Sequence, residues 1–385
     1  LASPHFRAYN LSSRFRRSNE KTLQGDDMNK TQQLSLIKRL SEANGISGFE
    51  DEILPLIRQA ASGLGEFSRD SMLNLYLHRN GNVPGKPVVQ LDCHTDEVGF
   101  MVKAIRPDGM LEFIQIGGWV PSNIPAHRVR VLNKAGEYVP GVVGSKPPHF
   151  MSAEDAQKPL DLSSMFIDVG AVSMDEVVND YRIGVAAPVV PEATCTYDER
   201  HDILVGKAFD NRMGCAAVIA TLDAVKGEPL NVNLIGAFAS QEEVGTRGAI
   251  VTGRTVKADV AIVFEGCPAD DTVVPPYVSQ TAVKKGPMLR HIDARMITNP
   301  RFQRYALSLA AELEIPVQEA VRSGGSTNGA SIHLANSGIP VIVIGIPVRY
   351  AHTHYGISSY SDYENGVKLA VELLKRLDAA TIATF

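Results

Sequence analysis

The sequence predicts an α/β fold, a mixed sheet flanked by helices with a small all-β domain inserted into it. Three observations predict this. Apolar runs at 88–91, 234–239, 261–264 and 341–348 read as buried strands and alternate with helix-like stretches. Between about 100 and 188 the pattern changes to short alternating runs separated by Gly and Pro, which reads as a barrel or sandwich. From Thr194 the α/β pattern resumes and continues to the C-terminus. The expected division is therefore 28–98 with 189–385 as one α/β domain, and 99–188 as the insertion.

Residues 1–27 do not resemble the rest of the chain. Four Arg precede any acid and no apolar segment is present, so the stretch is not a secretory signal. It reads as a leader or upstream extension, expected to be disordered, with no part in the fold. Thr31 to Leu64 predicts two helices. Leu34, Leu36, Ile37 and Leu40 face inward on the first, and Ile53, Leu54, Leu56 and Ile57 on the second, with Asn44–Gly48 as the break. Ser71–His78 predicts a strand and 81–85 a turn. In the insertion the predicted strands are Gly99–Ile105, Met110–Ile116, His127–Leu132, Tyr138–Val143 and Met165–Val169. Lys146 to Pro159 reads as an exposed loop, and His149 as a loop histidine. Beyond it, helices are expected at Met213–Val225, Asn299–Leu313, Ala330–Ala335 and Tyr363–Leu377, and strands at Ala258–Phe264 and Val317–Val321. Pro300 suits a first helical turn. The glycine turn Gly324–Gly329 lacks the Lys-Ser/Thr of a phosphate-binding loop.

The 385-residue chain is 44% hydrophobic and 21% charged, as expected of a globular enzyme. A net charge of −5 argues against nucleic acid as the main partner. No apolar run is long enough for a membrane helix. Cys93, Cys195, Cys215 and Cys267 form no CxxC pair and read as free thiols of a reducing, cytoplasmic compartment.

The chemistry lies where strands end. Apolar runs lead into His94-Thr-Asp96, Glu242-Glu243, Glu265 and His352, and Asp210 separates a strand-like run from a helix-like one. Each has an ordinary alternative: a hydrogen-bonded core histidine for His94, a helix N-cap for Asp210, a solvated loop for Glu242 and Glu243. Together, two His and several carboxylates suit two hydrolytic metal ions. No Gly-x-Ser-x-Gly elbow supports a serine hydrolase. Cys267 reads as a core or pocket wall.

Five segments carry a family resemblance: His94-Thr-Asp96-Glu97-Val-Gly-Phe-Met, Gly144-Ser-Lys-Pro-Pro-His149, Gly206-Lys-Ala-Phe-Asp210-Asn-Arg, Glu242-Glu243-Val-Gly and Arg349-Tyr-Ala-His352. In these, and from Met28 to the C-terminus, the chain resembles the M42 metallo-aminopeptidases. The resemblance implies a phosphorylase/hydrolase-like co-catalytic zinc peptidase domain, with an inserted β-barrel that mediates subunit contacts. It implies removal of N-terminal residues from short peptides by two divalent ions, Zn or Co, with Mn tolerated. His94 and Glu265 would hold one ion, Glu243 and His352 the other, and Asp210 would bridge them. Asp96 would orient His94, and Glu242 would be the general base. His354 competes with His352, but the Arg-Tyr-Ala-His segment favours His352. A cis Asp210–Asn211 peptide and a homo-oligomer, a dodecamer built from dimers, are also implied. Two positions depart from the pattern: Glu265 replaces the commoner Asp, and Asn328 stands where Gly-Thr-Asp-Ala is expected, leaving that loop's role open. A glycoside hydrolase would also use paired carboxylates, but gives His94 and His352 no task. A metal-binding scaffold without turnover leaves Glu242 unexplained.

Overall fold

The computed structural model describes residues 27–154 and 157–385, so the predicted leader lies almost wholly outside the described residues. Helices α1 (Lys30–Glu42) and α2 (Ile53–Ala60) lead into β1 (Gly65–Arg69), β2 (Leu75–Arg79) and β3 (Val88–His94). Six strands follow: β4 (Gly99–Ile105), β5 (Leu111–Ile116), β6 (Arg128–Leu132), β7 (Tyr138–Gly144), β8 (Phe166–Asp168) and β9 (Pro188–Pro191). Next come β10 (Thr196–Asp198), β11 (Ile203–Gly206), α3 (Phe209–Ala224), β12 (Asn233–Ala239), α4 (Arg247–Val256), β13 (Val260–Pro268) and β14 (Met288–Ile292). The chain closes with α5 (Pro300–Glu312), β15 (Gln318–Val321), α6 (Gly329–Ile332), β16 (Val341–Val348), β17 (Gly356–Ser358), α7 (Tyr360–Arg376) and α8 (Ala379–Ile382).

The main sheet has the order β1-β2-β12-β3-β13-β16-β14-β15. Its four central strands, β12, β3, β13 and β16, are parallel, so their carboxyl ends share one edge. The flanking pairs β2/β12 and β14/β16 are antiparallel, which makes the sheet mixed. Period-two alternation divides the central strands between two cores. Ile262, Phe264, Ile342 and Ile344 pack under α1, α2, α3, α5 and α7. Ala261, Val263, Val341 and Val343 face α4 and α6. Burial on both faces explains why these strands appear in sequence as unbroken apolar runs.

The insertion is a closed barrel, β4-β5-β8-β7-β6-β9, around Phe100, Leu111, Val129, Val131, Ile167 and Val189. Its sixth strand, β9, pairs with β4 and β6, so the barrel runs past the boundary expected at 188. Pro188 and Pro191 at its ends obscured it, since proline reads against a strand. At the other predicted strand that moved, Ser71–Asn74 is a turn and β2 begins at Leu75. Asp70 accepts the N–H groups of Met72 and Asn74, and Leu73 takes φ +71°.

A buried ionic knot joins the two domains. Glu97 lies just before β4, and its carboxylate meets Lys207 Nζ at 2.7 and 2.8 Å. Arg212 stands 3.6 Å from the same carboxylate and donates to the carbonyls of Leu40, Ala43 and Gly45. One knot thus ties the end of α1, the entry to the barrel and the start of α3. Removing one member of a buried pair leaves the other charge uncompensated. Lys207→Met is expected to lower stability by about 3–5 kcal/mol, measured by denaturant unfolding against wild type.

Candidate metal centre

The site lies where parallel strands end. Register sets Ala239 of β12 beside His94 of β3, and Val263 of β13 beside Asp92, two residues short of Glu265 and His94 respectively. His94 and Glu265 therefore reach the same edge on adjacent strands, and Glu242 and Glu243 follow the third. Asp210 comes from α3, where Asp210 (φ −83°, ψ 102°) and Asn211 (φ −125°, ψ 38°) interrupt the helical backbone. The Asp210–Asn211 peptide is cis. Gly266 makes room for this segment, since a Cβ there would lie 2.5 Å from Asp210 Cα.

Two triads result. His94 Nε2 lies 3.0 Å from Asp210 Oδ1 and 3.4 Å from Glu265 Oε1. His352 Nε2 lies 3.4 Å from Asp210 Oδ2 and 3.2 Å from Glu243 Oε2. Within each triad the ligand atoms fall inside 4.8 Å of one another, and Asp210 belongs to both. His94 Nδ1 faces the Asp96 backbone carbonyl at 3.1 Å and its carboxylate at 3.3 Å, which fixes Nδ1 as the protonated nitrogen and turns Nε2 toward the triad. Glu242 joins neither triad but lines the same open cleft, with Arg295 and Ser326.

The electrostatics call for added positive charge. Burial, then the neighbouring carboxylates Glu265, Glu243 and Asp210, push Glu242 well above the usual carboxylate range, against the pull of His94. Burial and Asp210 push Glu265 to about 8. Burial opposes charge on His352, but Glu243 and Asp210 outweigh it and raise the imidazole to about 11. Glu243 Oε1 is buried without a partner among the described residues. Crowded acids, imidazole lone pairs aimed at them and an orphaned oxygen fit bound cations with N and O ligands.

The remaining singled-out residues lie elsewhere. His354 is buried and stacks on His127 at 4.3 Å. His149 is in an exposed turn. Cys267 is buried and accepts from Arg290. Asn328 donates to buried Asp92 at 2.7 Å, facing the interior. An Asp at 328 would set two buried carboxylates against each other. Sequence reasoning missed Gly118, where a Cβ would lie 3.2 Å from His352 Nδ1 and so limits what the barrel can present to the site. It also missed Glu50, whose carboxylate accepts the N–H of Gln241. Gly118 gave no signal beyond a glycine pair. Glu50 sits in a turn whose sequence signals only a helix entry.

Known proteins are similar to this chain in sequence and in fold. The M42 glutamyl aminopeptidase family profile matches residues 74–369. The TET aminopeptidase of the marine sediment archaeon Thaumarchaeota archaeon SCGC AB-539-E09 superposes with a TM-score of 0.87 at 35% identity, over 91% of this chain and 99% of its own. The glutamyl aminopeptidase of Lactococcus lactis subsp. cremoris (strain MG1363) is 28% identical over 90% of this chain and 97% of its own length. A TET1 peptidase of Pyrococcus horikoshii, described as able to assemble into a tetrahedron or a large octahedral shell, shares the fold (TM-score 0.80, 24% identity, 90% of this chain, 100% of its own). The chain belongs to the M42 peptidase family and is a peptide hydrolase of the aminopeptidase type.

Proposed function

We propose that the protein is a two-metal aminopeptidase that trims N-terminal residues from short peptides. The observation that carries this is Asp210, with one oxygen turned to each triad. His94 and Glu265 would hold one divalent ion and Glu243 and His352 the other, with Asp210 shared. Mixed imidazole and carboxylate ligands suit Zn or Co and tolerate Mn. Bound there, such ions would supply Lewis acidity to the scissile carbonyl and to the attacking water. Asp96 keeps His94 in one tautomer. Glu242 takes the proton of the attacking water and returns it to the leaving amine. The acids of the cleft also favour a substrate that begins with a free ammonium group, hence N-terminal rather than C-terminal trimming.

We further propose a homo-dodecamer built from dimers, with the barrel at the contacts and a shell that restricts entry to short peptides. The shell of the Pyrococcus horikoshii relative supports it. Buried, unlinked cysteines suit the cytoplasm. No helix among the described residues is long and apolar enough to cross a membrane.

Two outcomes test these proposals. Glu242→Gln should keep both ions and bind substrate while kcat falls by ~10²–10⁴-fold; Glu243→Gln should weaken one ion and recover activity in excess metal. Metal content and kinetics decide, and the reverse pattern would exchange the two roles. Light scattering should give twelve times the mass of one chain; a monomer that digests long folded proteins would contradict the shell.

A further inference from the structure

The segment that carries the base is held on two sides: the carbonyls of Ser240, Gln241 and Glu242 accept from the N–H groups of residues 245–248, while its own N–H groups donate to side chains from elsewhere in the chain. After β12 ends, none of the N–H groups of residues 240 to 243 donates to a backbone carbonyl among the described residues. Ser240 N–H donates to Asn74 Oδ1 at 2.9 Å. Gln241 N–H donates to Glu50 Oε1 at 3.1 Å. Glu242 and Glu243 N–H donate to the two oxygens of Asp96, at 2.9 and 3.1 Å. Gln241 takes φ +53°, which turns the successive amides toward these acceptors.

Asp96 is held in turn. Ser47 donates its hydroxyl to Asp96 Oδ2 at 2.6 Å. Ser47 and Glu50 bracket the turn Ser47-Gly-Phe-Glu50, and both are buried. That turn is fixed to the strand end itself, because Glu97 N–H donates to the Gly45 carbonyl at 2.9 Å. The same short turn therefore grips Gln241 directly and grips Glu242 and Glu243 through Asp96. None of its side chains belongs to a triad.

On the reading of Glu242 as general base, we propose that Glu50, with Ser47, is a positioning residue that aims Glu242 at the cleft by fixing the backbone of residues 241–243. Its task is to accept one hydrogen bond at one oxygen. A neutral carbonyl can do the same, whereas a methyl cannot. A displacement of about 1 Å at a reacting group can cost of the order of 10²-fold in rate.

The test measures kcat, KM and metal content for Glu50→Ala, Glu50→Gln and Ser47→Ala on an aminoacyl chromogenic substrate, with Glu242→Gln alongside. Glu50→Ala should lose roughly 10–100-fold in kcat per metal-loaded site, with KM within about threefold and metal content unchanged. Glu50→Gln should recover to within about fivefold of wild type, and Ser47→Ala should lose several-fold in kcat alone. A merely structural role would instead lower the yield of folded, metal-loaded protein and leave kcat per loaded site unchanged. That result overturns the proposal, as does a Glu50→Gln enzyme as slow as Glu50→Ala. If Glu50→Ala does not fold, Glu50→Gln and Ser47→Ala decide, and wild-type kcat in Ser47→Ala overturns it. An active Glu242→Gln enzyme would show that the base itself is misassigned, separately from anything Glu50 does.

Discussion

Asp210 stands between two imidazoles, and its two oxygens face different ones. Everything else in the site depends on keeping that carboxylate in place. Burial works against its charge, while His352 and His94 hold its pKa below the usual range. A carboxylate in such surroundings is tolerable only with positive charge on both sides. The fold meets this requirement by drawing the partners from different elements. His94 ends β3, Glu265 lies in β13, Glu243 comes after β12, and His352 after β16. Four parallel strands thus supply four of the proposed ligands, and the entry to the helix α3 would supply the fifth.

That arrangement puts an unusual demand on the junctions. The strand ends must leave the sheet at once and still be rigid. Buried side chains do what a longer ladder would otherwise do. Glu97, Lys207 and Arg212 fix the exits of β3 and β11 against the end of α1. Asp96, Glu50 and Asn74 hold the segment after β12. The barrel meets the same edge through Gly118, whose missing side chain leaves space for His352. An inserted domain placed there can control access to the cleft without contributing a ligand of its own.

Much of this was legible in the sequence because of how parallel strands are buried. Strands covered on both faces appear as apolar runs, and the first acid or histidine after a run marks its end. Glu242 stands out for that reason, whereas Glu265 lies inside β13, which runs on past the end expected at Phe264 to Pro268. The barrel was legible from alternation, apart from β9, a strand bounded by prolines. Short strands such as β1, β14 and β17 gave no pattern, because their pairing depends on neighbours distant in sequence. Glu50 was invisible as a site residue for a related cause. Its role depends on an acceptor meeting an amide 191 positions away, and one sequence carries no record of that meeting. Asn328 left the role of its loop open in the sequence, and its pairing with Asp92 is visible only once the chain is folded.

The central claim is that Asp210 serves two metal sites at once. It is tested most directly by counting ions per chain after dialysis against metal-free buffer, in wild type, His352→Ala and Asp210→Ala. Two ions in wild type, one in His352→Ala and neither retained in Asp210→Ala is the expected result. A single ion in wild type, or an Asp210→Ala protein that keeps both, would contradict it.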